Sequence, residues 1–387
     1  MSAGPAMVGR MNTHVAGHPG TLNQMRQDDL MTSLYRTHER GLVPRAEALA
    51  RTALFPRLRY MGSKYRLIPH LSSVFEEVGG GRALDAFSGS GVVSYLLKAQ
   101  GFEVTSNDFL DFPAAITSAT VVNQSELLTH DDVRTLIGPP ADDRDFISRT
   151  FDGLYFNAED RAFLDSAWSH IDLLGGAKRH IAISALVLSA ARKQPRGVFT
   201  FTDSSRYADG RRDLTLTLRE HFVERVAEYN ATVFDDGQSH TAVVGDIADL
   251  PPSDFDLVYL DPPYAPQSDD ADYMKRYHFL QGLAVYWEGQ EIMATTKTKK
   301  IIKKFTPFAY KRTIVDALSR TFEQFADAGS LVMSYSSNAV PDAATIVSLL
   351  RHVKPNVEVH PIDHTYTFGT HAAATRRSVS EYLFVAR

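Results

Sequence analysis

The stretch RALDAFSGSGVVSYLLKAQGFEVTSNDF, Arg82–Phe109, decides the fold. It opens on a short apolar run, RALDAF, that reads as a strand. SGSG at 88–91 breaks the run, VVSYLLKAQ continues as an apolar helix, and GFEVTSNDF returns to a strand ending at Asp108. Strand, tight turn, helix and strand within about thirty residues begin a parallel, right-handed α/β unit, because the crossover helix packs back onto the sheet with that hand. Gly89 and Gly91 fall where turn amides and a helix start meet at the carboxyl end of the first strand, a place suited to a bound ligand. The three-glycine dinucleotide fingerprint is absent, since Val92, Val93 and Ser94 follow the second glycine, and this disfavours a nicotinamide cofactor. Asp108, closing the next strand, can accept hydrogen bonds from both hydroxyls of a ribose. The two strand ends together point to a nucleoside-bearing ligand.

Outward from this unit, KYRLIPHLSSVFEEV (Lys64–Val78) carries apolar residues at helical spacing, with Pro69 where a first turn tolerates it. TAVVGD (241–246), DFDLVYL (254–260), GSLVMSYSS (329–337), NVEVHPI (356–362) and SEYLFVAR (380–387) read as further strands, and KRTIVDALSRTFEQFADA (311–328) as a helix. Residues 125–240 read as mainly helical, with a loop between 193 and 210. This predicts one α/β domain built from 51–124 and 241–387 and interrupted by a helical insertion at 125–240. A loosely ordered arm, 1–50, precedes it, with one helix near 45–53. There is no internal repeat.

A chain of 387 residues supports a sizeable core. It has no cysteine, which excludes disulfides and thiolate metal sites and fits a cytoplasmic setting. No apolar run reaches the roughly 18 residues of a membrane span, and the first twenty residues lack a signal-peptide apolar region. The net charge of −5 argues against indiscriminate nucleic-acid binding. Local clusters set the field at a binding face, however, and ARKQPRG (191–197), GRRD (210–213), KTKKIIKK (297–304) and TRR (375–377) are strongly basic. His278 and His364 share no metal-ligand spacing.

Four motifs occur in order: RYMGSK (Arg59–Lys64), DAFSGSG (Asp85–Gly91), SND (Ser106–Asp108) and DPPY (Asp261–Tyr264). The chain thereby resembles the Dam-like, alpha-group N(6)-adenine-specific DNA methyltransferases, which use S-adenosylmethionine. The likeness extends to YHFLQGL (Tyr277–Leu283), SYSSN (Ser334–Asn338) and EYLFV (Glu381–Val385), and so covers most of 57–387. It implies a Rossmann-like class I methyltransferase domain with a mostly parallel sheet, interrupted by a helical DNA target-recognition insertion. It places Tyr60 and Lys64 at the methionine end of the cofactor, Lys64 near its carboxylate, and Asp85, Phe87 and Gly89 in the cofactor loop. Asp108 falls at the ribose, Asp246 and Ile247 at the cofactor's adenine, and Asp261 also borders the cofactor. ARKQPRGVFTF (191–201) resembles the family's segment near DNA, but Thr200 and Thr202 stand where asparagine and proline are usual.

The same resemblance explains a strand that ends in an acid and two prolines. An adenine amino group is a poor nucleophile, its lone pair being delocalised into the ring, so a site that methylates it must hold it with acceptors. Asp261 can accept one hydrogen and the carbonyl of Pro262 the other. Pro262 and Pro263 remove amides that would misdirect the amine, and Tyr264 offers a flat face to an extruded base. Direct transfer needs no metal. Arg192, Arg196, Arg206, Arg211 and Arg212 in the insertion, with Lys193 beside them, and Lys299, Lys300 and Lys303 in the lysine-rich segment are candidate contacts to double-stranded DNA. A cognate restriction endonuclease of a restriction–modification pair, or a defence-system partner, fits such an enzyme. The same acceptor geometry could serve the N(4) amine of cytosine or an RNA adenine, and a catalytically inert DNA-binding subunit could share the fold.

Overall fold

The computed structural model describes residues 43–200, 210–265, 273–367 and 376–387. Strands form where the apolar runs predict them: β1 Arg82–Asp85, β2 Glu103–Asp108, β3 Thr241–Val244, β4 Leu257–Leu260, β5 Ser330–Ser336, β6 Val357–Thr367 and β7 Arg376–Ala386. They make one sheet in the order β3-β2-β1-β4-β5-β7-β6. The first five strands pair in parallel, and β7 runs antiparallel between β5 and β6. This is the mostly parallel, Rossmann-like α/β fold expected from the first strand–helix–strand unit. β6 and β7 outrun their predicted limits, because their pairing continues from Val357↔Ala386 to Thr367↔Arg376 through a polar stretch with no apolar signature.

The strand order positions the site. From β1 the chain steps one way to β2 and β3, then returns to add β4 and β5 on the other side. The switch point therefore lies between β1 and β4, and in open parallel sheets ligands bind outside the carboxyl ends of the strands at that point.

β4 is buried along its whole length, as a strand covered on both faces must be. Leu257 and Tyr259 enter one core and Val258 and Leu260 the other, following the two-residue alternation of a strand. The first core takes in helices Ile68–Val78, Val92–Ala99 and Asp111–Thr117 and reaches the helical segment; the second takes in Ile314–Gln324 and Ala343–Arg351. Within 125–240 the described helices are His130–Leu136, Phe146–Thr150, Ala158–Ile171, Gly176–Arg192, Arg212–Thr215 and Leu218–Asn230. Gly176–Arg192 is buried along most of its length, which suits a helix whose apolar residues surround it. Thr217 and Glu220 start Leu218–Asn230 with a reciprocal capping box.

Two elements depart from expectation. The helix read from Lys64 begins at Ile68, leaving Lys64 in the preceding turns. Helix Asp111–Thr117 and its π-helical continuation Ser118–Val122 carried no clear periodic signal; Lys98 Nζ, buried against them, donates to Asn123 O at 2.8 Å and closes their end. The helix expected near 45–53 is Arg45–Thr52, while residues 1–42 of the arm lie outside the described residues.

Candidate functional site

The carboxyl ends of β1, β2 and β4 open onto one cleft of about 970 Å³, continuous with solvent. Its glycine loop needs its glycines. Gly89 has φ +48°, and a Cβ there would lie 2.9 Å from Tyr60 Cε1; Gly91 has φ +81° immediately before helix Val92–Ala99. Asp108 ties the loop to β2: its Oδ2 accepts from Gly89 N at 2.8 Å and its Oδ1 from Leu110 N at 2.9 Å. Burial pushes the Asp108 carboxyl up to about 6, against the pull of those amides. Each oxygen keeps a further lone pair for a ligand.

Asp85 is fully buried at the end of β1. Its Oδ2 accepts from Ser94 Oγ at 2.6 Å, while Oδ1 has no hydrogen-bond partner among the described residues. Burial, reinforced by the charges of Asp261 and Asp108, pushes this carboxyl up to about 7, and the Ser94 hydrogen bond opposes the shift.

Asp261, one residue past β4, is the most connected group. Its Oδ2 lies 2.7 Å from Lys64 Nζ, and its Oδ1 accepts from Ser334 Oγ and Tyr264 OH, each at 3.0 Å. Ser334 Oγ is 2.7 Å from Tyr259 OH, and Tyr264 OH is 3.3 Å from Glu381 Oε1. Burial raises the Asp261 carboxyl above the usual carboxylate range, and Lys64 opposes that rise. The carbonyl of Pro262 accepts no hydrogen bond among the described residues. Lys64 is held by its own donation to Gly62 O, and Tyr60 stacks on Tyr277 at 4.9 Å and 11°. Tyr277 OH in turn accepts from Met61 N at 2.7 Å, so the helix after DPPY clamps the RYMGSK turn over the cleft.

The D12 class N6 adenine-specific DNA methyltransferase family model matches residues 60–141, which hold the RYMGSK turn from Tyr60, the glycine loop and Asp108. The type II methyltransferase M2.HphI of Haemophilus parahaemolyticus is 24% identical over 326 residues, covering 81% of this chain and 92% of that protein. Both matches support an adenine-specific DNA methyltransferase family for this chain. The family implies S-adenosylmethionine as methyl donor and DNA as substrate.

The residues of the cleft fit such a cofactor. Ser63 Oγ and Ser88 Oγ, both on the cleft wall, are buried without a hydrogen-bond partner among the described residues, which suits a polar ligand. Of the residues expected to hold it, Tyr60, Lys64, Phe87, Gly89, Asp108 and Asp261 line the cleft, whereas Asp85 is enclosed beneath the surface. The structure does not bring Asp246 and Ile247 to the cleft wall. Asp246 caps a 3-10 turn by accepting from Ala248 N at 3.0 Å, and Ile247 is buried in the second core.

Pro263 lines the cleft beside Asp261, while Tyr264 turns its hydroxyl back to Asp261, with Lys64 Nζ 5.0 Å from its ring centroid and Tyr335 edge-on at 4.9 Å. Sequence reasoning missed Tyr259 and the acceptor role of Glu381. The motifs SYSSN and EYLFV contained Ser334 and Glu381, but nothing in them showed that both side chains reach the DPPY turn.

The basic candidates separate by environment. Arg192 pairs with Asp213 at 3.8 Å and Arg212 with Glu224 Oε2 at 3.2 Å, while Arg211 is exposed beside the short helix Arg212–Thr215. Lys193 turns inward onto the buried Asp160 at 3.0 Å, a structural position rather than a surface one. Arg196 lies on the 3-10 turn Pro195–Gly197; Arg206 and Thr202, and the side chains of Arg196 and His364, lie outside the described residues. The lysine-rich segment folds back on itself, Ile292 bridging to Ile301, with Lys299 at φ +51° in the turn. Lys303 is exposed; Lys299 and Lys300 are half-buried. Among the described residues no helix is long and apolar enough to cross a membrane, and no group of three His, Asp or Glu could hold a metal ion.

Proposed function

We propose that this methyltransferase transfers a methyl group from S-adenosylmethionine to the N(6) amino group of an adenine extruded from a specific double-stranded DNA sequence. One observation carries the reading: Asp261 stands at the end of β4 on the wall of the same cleft as the glycine loop and Asp108, with Pro263 beside it. When bound, the cofactor supplies an electrophilic methyl on a sulfonium. Asp108, with spare lone pairs, would hold its ribose, and Tyr60, Phe87, Gly89, Ser63 and Ser88 would enclose the rest. Asp261 and Pro262 O would take the two amino hydrogens of the adenine, turning its nitrogen lone pair toward the methyl carbon at about 3–3.5 Å. Asp261 must be ionised to accept, and Lys64 opposes the effect of burial at 2.7 Å. Asp261 can then receive the proton that leaves the methylated nitrogen. Pro262 and Pro263 fix the turn, and Tyr264 steadies Asp261 through its hydroxyl.

In this reading 125–240 is the target-recognition region and 51–124 with 241–387 the catalytic domain. Arg196, Arg206, Arg211, Lys299, Lys300 and Lys303 serve as DNA contacts. Arg212 can join them at small cost, because an exposed ion pair is screened by water, whereas Arg192 would have to leave a half-buried pair with Asp213. The likeness to a type II methyltransferase supports a cytoplasmic enzyme paired with a restriction endonuclease. The test is transfer of labelled methyl groups to unmethylated plasmid, with single-molecule sequencing of the product. Methylated adenines in one recurring sequence, lost in Asp261→Ala while cofactor binding persists, are the expected result. Methyl groups on cytosine, or full activity in the variant, would sink the reading.

A further inference from the structure

Tyr264 was the face on which the sequence placed an extruded base, yet its hydroxyl is drawn back to Asp261 and Lys64 stands over its ring. A different aromatic pair lies open at the cleft. Phe305 is 64% exposed and stacks nearly parallel on Tyr310, with centroids 5.5 Å apart and an interplanar angle of 13°. Tyr310 lines the cleft, while Phe305 stands outside its wall, so the stack runs from the mouth toward solvent. Lys303 Nζ is 5.4 Å from the Tyr310 centroid, and Lys304 Nζ is 5.7 Å from that of Phe109, the residue after Asp108.

The segment bearing the stack is anchored. Phe308 is 3% exposed and packs edge-on against Phe87 of the glycine loop at 5.1 Å. Thr313 Oγ1 donates to Pro307 O at 2.6 Å, bracing the 3-10 turn Pro307–Ala309. A rigid pair of flat rings, open on one face and flanked by ammonium groups, has the chemistry of a stacking platform for an unpaired base with its phosphates. The lysines favour a base of the nucleic acid over the cofactor's adenine, since S-adenosylmethionine carries no phosphate.

We infer that the Phe305–Tyr310 stack receives an unstacked nucleobase of the DNA substrate at the mouth of the cleft. The inference rests on the DNA-methylation reading and adds to it a base-binding position outside the acceptor site at Asp261. Because Phe305 is mostly exposed, its replacement leaves the core intact.

The test compares wild type, Phe305→Ala, Phe305→Leu and Phe305→Tyr on an unmodified duplex carrying the recognition sequence for the kinetics and, for emission alone, on the same duplex with 2-aminopurine at the target adenine or at either neighbour. The readouts are KM for DNA, kcat, cofactor Kd and 2-aminopurine emission in the complex. Phe305→Ala is expected to raise KM for DNA roughly tenfold, as for one lost base–aromatic stack. Phe305→Leu should behave likewise, Phe305→Tyr should restore wild-type values, and cofactor Kd should not move. Emission at one of the probed positions should rise in Phe305→Ala as the quenching ring is removed. Equal KM and emission in wild type and Phe305→Ala overturn the inference alone, as does full rescue by leucine, which keeps bulk but not a flat face. A weakened cofactor Kd overturns it in favour of a cofactor wall. Failure of the wild type to methylate DNA takes down the functional reading with it.

Discussion

Lys64 is 3% exposed and places its ammonium 2.7 Å from Asp261 Oδ2 on the wall of the cleft. Two charges out of water repay their desolvation only with close geometry and further hydrogen bonds, and here Gly62 O, Ser334 and Tyr264 provide them. Burial already raises the Asp261 carboxyl, and Lys64 is the first effect opposing that rise. Lys64→Met should therefore raise it further. A carboxylate that must be ionised to accept the adenine amine loses function as pH falls through its folded pKa. The acidic limb of kcat/KM for plasmid methylation should then move to higher pH in Lys64→Met, with the loss of rate greatest at low pH. Rates measured between pH 5.5 and 9 decide this: a uniform loss with an unshifted limb would mean that Lys64 acts on the cofactor's carboxylate alone. Asp261 was singled out in the sequence because DPPY follows RYMGSK, DAFSGSG and SND in order. Its dependence on Lys64 was not, since the contact joins a loop before one helix to the end of a strand far along the chain, and local pattern carries no such distance.

At the scale of elements, the parallel strands were legible because burial on both faces leaves continuous apolar runs. Helix Asp111–Thr117 was not, because it is short, holds Pro113 in its first turn and passes into the β-branched π-helical turn Ser118–Val122. Equally hidden was Tyr155, at φ +59°, which links the two basic loops. Its hydroxyl donates to Thr298 O at 2.8 Å and lies 3.0 Å from Phe199 O, which His278 Nε2 approaches to 2.9 Å. Burial pushes His278 down to about 4, so near neutral pH the imidazole is uncharged and can donate from Nε2. One hydroxyl thus holds the chain after Gly197 and the lysine turn in a common frame. Tyr155→Phe removes the donor and leaves the Thr298 carbonyl short of a partner, a cost of about 1–3 kcal/mol. KM for DNA should rise several-fold while cofactor Kd stays at its wild-type value. Titration of cofactor and duplex separately checks the split, and a parallel loss in both would show that Tyr155 supports the fold generally.

For the molecule as a whole, net charge misleads: −5 describes a chain whose lysines crowd into one segment beside the cleft. The Ile292–Ile301 bridge gathers them on one turn, so that a chain repelling polyanions on average can present a local cationic edge. The sequence showed the cluster but not its direction, which depends on the backbone turning at Lys299. Association through that edge must release counterions, so the logarithm of the DNA binding constant should fall linearly with the logarithm of salt concentration, with a slope of about −0.9 per phosphate contacted. Replacing Lys299, Lys300 and Lys303 together by glutamine should make the slope shallower by roughly 2–3 if each meets one phosphate. Filter binding of a cognate duplex from low to moderate salt measures it directly. The preference for the cognate sequence over a scrambled duplex should survive the triple substitution, because phosphate contacts position without reading bases. An unchanged slope would assign the electrostatic footprint to the arginines of the helical segment. A collapse of sequence preference with the slope intact would instead make these lysines readers of base edges.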